Sequence, residues 1–264
     1  MIGAGNMAQC LLGGLLARGH PRDRLIAADP DDAARAAVER EHGIATSSDN
    51  AASAAAADVV VLAVKPQVLD DVASSIADAL GDHALVVSVA AGIPVRRLTD
   101  ALGGRRAIIR MMPNTPALRG AGAIGLFAGQ HCSEAQKNLA RQLFSAVGRV
   151  FEISDESLMD VVTALSGSGP AYFFRLAEAL AEAGADAGLD RRTAEGLAAQ
   201  TAIGAGAMLA AGDASAAELR ARVTSPGGTT AAALASMDDH GLDELVRAAV
   251  EAAIRRGREL GAAS

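Results

Sequence analysis

Residues 2–8 read Ile-Gly-Ala-Gly-Asn-Met-Ala (IGAGNMA), and this stretch decides how the rest of the chain is read. It matches G-x-G-x-x-G/A through Gly3, Gly5 and Ala8. In such a loop the first glycine makes a tight turn and the second lets backbone approach a pyrophosphate. The third small residue lets a helix pack closely on a sheet. The phosphates then meet the helix N-terminus, where free N–H groups and the dipole favour negative charge. A structural glycine turn is the alternative, but the neighbouring sequence favours the nucleotide. Residues 5–18 carry apolar side chains at helical spacing. The strand RLIAADP then ends in Asp29, about where an acid meets an adenosine ribose. An acid at that position favours a free 2′-hydroxyl and so NADH. Arg22, Arg24 and Arg35 are close enough in sequence to offset it, and helix capping by Asp29 is an equal alternative.

Strand and helix signals continue to alternate outward from the loop. DVVVLAV (58–64) is a continuous apolar run, as a strand buried on both faces requires. Its end, Ala63-Val64-Lys65-Pro66, belongs at the sheet edge where open α/β folds bind cofactors. Further strands are expected at ALVVSVA, RAIIRMM, GAIGLFAG and RVFEIS, with helices between them. From Glu156 onward the strand signal disappears, and helices are expected near 156–164, 170–186, 191–211, 214–222, 229–238 and 242–260. The expected fold is therefore α/β: a Rossmann-type, mostly parallel sheet domain over 1–154, then an all-α domain over 155–264. The stretch AIGAGAML in helix 191–211 presents small residues for a close contact, either within the chain or across a dimer seam. Only Met1 and Ile2 precede the glycine loop, so the first strand is expected to be truncated. We expect the natural start to lie several residues upstream.

Composition narrows the function. Half of the 264 residues are hydrophobic, aromatics are 2%, and the net charge is −7. The acidic balance argues against nucleic acid or an anionic membrane as partner. No apolar run reaches the ~20 residues of a spanning helix, and no signal peptide is visible. Cys10 and Cys132 lie far apart and fit no metal spacing, so a cytoplasmic location is expected. No cluster suggests a metal, and the five histidines are expected to be solvated.

Two Gly/Ser/Thr turns interrupt the plain Ala/Leu helices: LSGSGPAY (165–172) and TSPGGTT (224–230). N–H groups from Gly227 to Thr230, with the hydroxyls of Ser225, Thr229 and Thr230, are suited to a small carboxylate. Ordinary capping is the alternative reading. The helical half has no Lys at all, the chain's lysines being Lys65 and Lys137. A β-hydroxyacid dehydrogenase, which shares this layout, needs a catalytic lysine there. A site rich in hydroxyls and backbone donors but poor in strong acids fits hydride addition to a C=N bond. A dinucleotide-binding regulator without catalysis is the non-enzyme alternative.

IGAGNM (2–7), AVKP (63–66), VSVAAGIP (87–94), MPNTPA (112–117), TALSGSGPAYFF (163–174) and VTSPGGTT (223–230) together resemble the pyrroline-5-carboxylate reductase family across essentially the whole chain. The resemblance implies reduction of L-1-pyrroline-5-carboxylate to L-proline with NADPH or NADH, by a homodimer further assembled into a ring of dimers. It implies cofactor contacts at Ile2, Gly3, Ala4, Gly5, Asn6 and Met7, at Asn50, at Ala63, Val64, Lys65 and Pro66, and at Ala90, Ala91 and Gly92. Asn114 and Thr115 are implied near the nicotinamide. Ser225 and the backbone of Gly228, Thr229 and Thr230 are implied to hold the substrate carboxylate. The Thr230 hydroxyl is implied to reach the ring nitrogen. Asp29 departs from the neutral or basic residues of many relatives, which leaves the preferred cofactor open.

Overall fold

The computed structural model describes residues 1–263. Packing divides them into two compact units, one of Met1–Ser168 with the segment from Ala253, and one of Gly169–Ala252. The sequence division at residue 154 follows the change in secondary structure. By packing, residues 155–168 and the end of the last helix belong with the sheet.

In the first unit the glycine loop leads into α1 (Asn6–Ala17). Then follow β1 (Ile26–Ala28), α2 (Asp32–His42), β2 (Ala45–Ser47), α3 (Asn50–Ala55) and β3 (Val59–Leu62). Next come α4 (Leu69–Ile76), β4 (Leu85–Ser88), α5 (Val95–Ala101), β5 (Ala107–Met112), β6 (Gly122–Ala128), α6 (Glu134–Phe144) and β7 (Gly148–Glu152). β3 to β7 pair in sequence order, and β1 pairs with β2. Every pairing is parallel except β5 with β6. The reason is reach: a parallel crossover needs roughly a dozen residues, and the connection here is a short turn around the 3-10 helix Thr115–Arg119.

The residues ahead of the glycine loop occupy the slot between β1 and β3. Ile2 bridges Ala28 on one side and Leu62 on the other, both in parallel. The Ile2 N–H donates to Val61 O at 2.8 Å, and the Ala63 N–H donates to Ile2 O at 2.7 Å. The Gly3 N–H donates to Ala28 O at 2.7 Å, and the Ala28 N–H to Met1 O at 2.8 Å. A segment too short to count as a strand thus joins the two parts of the sheet. The Met1 ammonium donates to Ile26 O at 2.8 Å. Burial pushes its pKa down to about 6.

The strands alternate between two buried layers, as a sheet covered on both faces requires. Val60, Leu62, Val86 and Ile108 join Ile2, Leu69, Ile76 and Leu98 on one face. Val61, Leu85, Val87 and Ile109 join Leu11, Ile124, Leu126 and Phe144 on the other.

Past β7 come α7 (Met159–Val162), a π-helical turn over Thr163–Gly167, and α8 (Gly169–Asp186). The remaining helices are α9 (Arg191–Ala211), α10 (Ala216–Arg222), α11 (Thr229–Asp239) and α12 (Leu242–Ala263). The buried core of the second unit is a small cluster of Ala181, Ala194 and Ala198. Phe173, Phe174, Leu197, Ile203 and Leu245 are all more than half exposed. A Cβ built on Gly204 or Gly206 meets nothing within 4 Å among the described residues. Within the second unit, these two glycines of AIGAGAML make no tight contact. No helix among the described residues is long and apolar enough to cross a membrane.

Candidate active site

The candidate cofactor residues of the first unit gather at the C-terminal ends of β1, β3, β4 and β5, the edge where open α/β sheets bind ligands. Gly3 has φ +96°, and a Cβ there would stand 2.8 Å from Ala63 O and 3.1 Å from Val64 Cγ1. The glycine loop is thereby pressed on Ala63-Val64, as their joint place at one site requires. Gly5, by contrast, faces open space, with nothing within 4 Å of a built Cβ. It also precedes α1 with no side-chain cap. The first-turn N–H groups of α1, from Asn6 and Met7 onward, have no intrahelical acceptors. An open approach over uncapped donors is what a pyrophosphate uses. Asn50 opens α3, and its Oδ1 is buried without a hydrogen-bond partner. These features fit a bound dinucleotide.

Asp29 stands at the end of β1, but its carboxylate is already committed. Oδ2 accepts the Ala4 N–H at 2.8 Å, and Oδ1 accepts the Asp31 N–H at 2.9 Å. The N-cap of α2 is Asp31, whose side chain accepts from Ala33 N. The capping alternative for Asp29 is thereby corrected: its carboxylate braces the glycine loop. Arg35 lies against the same segment, donating to Asp29 O at 2.7 Å and pairing with Asp32. Lys65 is exposed, beside Pro66 at the start of a short 3-10 helix.

Ala90, Ala91 and Gly92 form the turn after β4. The Ala90 N–H reaches Ser88 Oγ at 3.3 Å, and Gly92 takes φ +77°. Gly92 packs on α12, where a Cβ on Gly261 would stand 2.7 Å from Gly92 O. Asn114 is buried with both ends of its amide in use. Nδ2 donates to Ser166 O at 2.9 Å, and Oδ1 accepts the Ala123 N–H at 2.9 Å. It ties the turn after β5 to the π-helical turn, whose widened geometry shows in the Ser168 N–H donating to Thr163 O at 2.8 Å. Thr115, next to it, is exposed.

In the second unit, Ser225-Pro-Gly-Gly228 is a β-turn closed by the Gly228 N–H donating to Ser225 O at 3.0 Å. Proline at its second position and Gly227 at φ +69° satisfy a type II turn. Gly228 is the N-cap of α11 and supplies no side chain. The first N–H groups of α11, at Thr229 and Thr230, therefore lack intrahelical acceptors. Ser225 opens this turn, and Thr229 and Thr230 are the first two residues of α11.

Arg110 and Glu156 are not among the site residues expected from the sequence. Arg110 is buried in β5 and pairs with Glu156 at 2.7 Å. The signal was an arginine inside the apolar run AIIRMM, which demands a counter-charge from elsewhere. The histidine expectation needs one correction. His42 is half-buried, packed against Gly13, and its Nε2 is buried without a partner. Cys10 and Cys132 are free thiols, and burial pushes both upward in pKa.

Comparison with known proteins settles the lineage. The family described as "Pyrroline-5-carboxylate reductase dimerisation" matches residues 156–260. The one described as "NADP oxidoreductase coenzyme F420-dependent" matches residues 1–92. A pyrroline-5-carboxylate reductase of Pseudomonas aeruginosa is 49% identical over 259 residues, spanning 98% of this chain and 95% of the relative. The chain belongs to the pyrroline-5-carboxylate reductase family. The solved pyrroline-5-carboxylate reductase of Coxiella burnetii superposes with a TM-score of 0.95 at 42% identity, covering 98% of this chain and 96% of that one. That of Plasmodium falciparum, solved with NADP bound, gives 0.85 at 30% identity over 98% and 96% of the two chains. As a pyrroline-5-carboxylate reductase, the enzyme reduces L-1-pyrroline-5-carboxylate to L-proline with NAD(P)H, the final step of proline biosynthesis. The all-α half is its dimerisation domain.

Proposed function

We propose that the α11 N-terminus holds the substrate carboxylate and that the glycine-loop edge of the sheet holds the dinucleotide. The observation that carries the first assignment is the uncapped start of α11, where Ser225, Thr229 and Thr230 belong to the turn and the first helical residues. Residues 1–154 would then serve the cofactor and residues 155–264 the substrate and the dimer. NAD(P)H supplies a hydride to the imine carbon. The chain's part is to orient the imine and exclude water. Ser225, Gly228 and Thr229 donate to the carboxylate. The Thr230 hydroxyl faces the ring nitrogen and orients the imine, which takes its proton from solvent before the hydride arrives and keeps it as C=NH⁺ becomes CH–NH. A protonated imine is already electrophilic, so no strong acid is needed. That agrees with a helical half devoid of Lys. Ile2–Met7, Asn50, Ala63–Pro66 and Ala90–Gly92 are the proposed cofactor contacts, with Thr115 beside the nicotinamide. Asn114 contributes by shaping its turn.

The test is Thr230→Ala. It should lower kcat by at least about tenfold while leaving NADPH affinity within about twofold, as expected for an interaction formed at the reacting centre. Unchanged turnover removes Thr230 from the reaction. We further infer a cytoplasmic enzyme, in keeping with two separated free thiols. We also infer assembly of the dimer into a ring, for which light scattering gives the subunit number.

A further inference from the structure

We propose that Glu156 is a positioning residue for cofactor binding. Its carboxylate anchors the start of α5 and thereby sets the Ala90–Gly92 turn. The Val95 N–H and Arg110 Nη1 both reach Glu156 Oε1, each at 2.7 Å. Val95 is the first residue of α5, and its N-cap is Pro94, which offers no side-chain cap. Glu156, 61 residues further along the chain, supplies the missing acceptor. Its negative charge also suits a helix N-terminus. The Arg110 side chain is only 7% exposed, so it cannot move away from Glu156 into water. A buried guanidinium on β5 thus fixes the carboxylate, and the carboxylate fixes the α5 end of the turn. The opposite end is held by Ser88 Oγ at the Ala90 N–H. Val95 lies three residues beyond Gly92, so a loosened Val95 N–H is felt directly in the turn.

This rests on the reading that the 90–92 turn faces the dinucleotide. Two substitutions break the anchor by different routes. Val95→Pro removes the N–H, and Val95→Ala, which keeps it, controls for the lost packing of the Val95 side chain on the core. Proline is tolerated at the first position of a helix, and Pro94 already has the extended geometry required before a proline, with ψ 155°. The Arg110–Glu156 pair survives. Glu156→Ala removes both bonds, and Glu156→Gln keeps an acceptor for Val95. Binding is read by NADPH fluorescence titration of the intact enzyme and folding by thermal denaturation.

Val95→Pro should raise the NADPH Kd about three- to tenfold above that of Val95→Ala, the worth of one well-placed hydrogen bond, with a Tm close to that of Val95→Ala. Glu156→Ala should raise Kd at least as much, and Glu156→Gln should recover most of it. Ala91→Glu, which places a charge on the turn itself, serves as the reference. Weakened binding in Ala91→Glu with an unchanged Kd in Val95→Pro and Glu156→Ala overturns the positioning role alone. Unchanged Kd in all of them overturns it together with the assignment of the turn. Should Glu156→Ala fail to fold, Val95→Pro still decides.

Discussion

At Gly3 the backbone turns through φ +96° with the Ala63 carbonyl against it, so a side chain there meets both strain and a clash. Gly3→Ala should cost about 1–3 kcal/mol from the backbone conformation alone, more once the 2.8 Å contact with Ala63 O is included. Thermal denaturation reads this as a fall in Tm of several degrees, and an unchanged Tm would show that the loop relaxes freely. Asp29 shows how one carboxylate serves two neighbours. By holding the Ala4 and Asp31 N–H groups it shapes the loop from the side. Asp29→Ser should weaken both cofactors by roughly three- to tenfold through the lost acceptor. Removing the negative charge should also raise the kcat/KM ratio of NADPH over NADH. An unmoved ratio would confine Asp29 to bracing the loop. The glycine requirement was legible in the sequence because it is local: a positive φ is written into the residue type. The Ala4 partner of Asp29 lies 25 residues away, and nothing local announces it.

Elements legible from sequence were those with strong periodicity or continuous apolar runs. Helix 191–211 and the strands around Val60, Val86 and Ile109 are present with ends within two or three residues of expectation. β2 was not foreseen, since Ala45-Thr-Ser47 is short, exposed or half-exposed at the sheet edge, and flanked by polar residues. The strand β6 was expected at GAIGLFAG, but its antiparallel direction escaped the sequence, because direction depends on how far a connection reaches. Its pairing with β7 is close enough to exclude a side chain: a Cβ on Gly148 would stand 2.1 Å from Gly122 O. Gly148→Ala should therefore separate the two strands and destabilise the enzyme by about 1–3 kcal/mol or more. Amide exchange would localise the damage to β6 and β7. Protection equal to the parent there would show that the pair adjusts without cost.

For the whole molecule, the helical half has far less core of its own than exposed apolar surface. Ala181, Ala194 and Ala198 are small, while Ile203 is 63% exposed and Leu245 68% exposed. A dimerisation domain accounts for that imbalance. Ile203 stands beside Gly204 on α9, so Ile203→Asp should disrupt subunit association while leaving the first unit folded. Sedimentation would show smaller species, with the circular dichroism of both units largely kept. An unchanged assembly would move the seam away from this face of α9.

The sequence by itself determined the glycine loop, the strand–helix alternation, the helical second half and the Ser-Pro-Gly-Gly turn before α11. Each of these is dictated by backbone conformation or periodicity within a few residues of chain. Only the tertiary structure decided that Met1–Gly3 joins β1 to β3, that β6 runs against β5, and that Asn114 is spent on Ser166 and Ala123. It alone brought Arg110, Glu156 and the Val95 N–H to one oxygen atom. These are meetings between residues far apart in the chain, and their partners are chosen by the packing of the sheet rather than by any local preference.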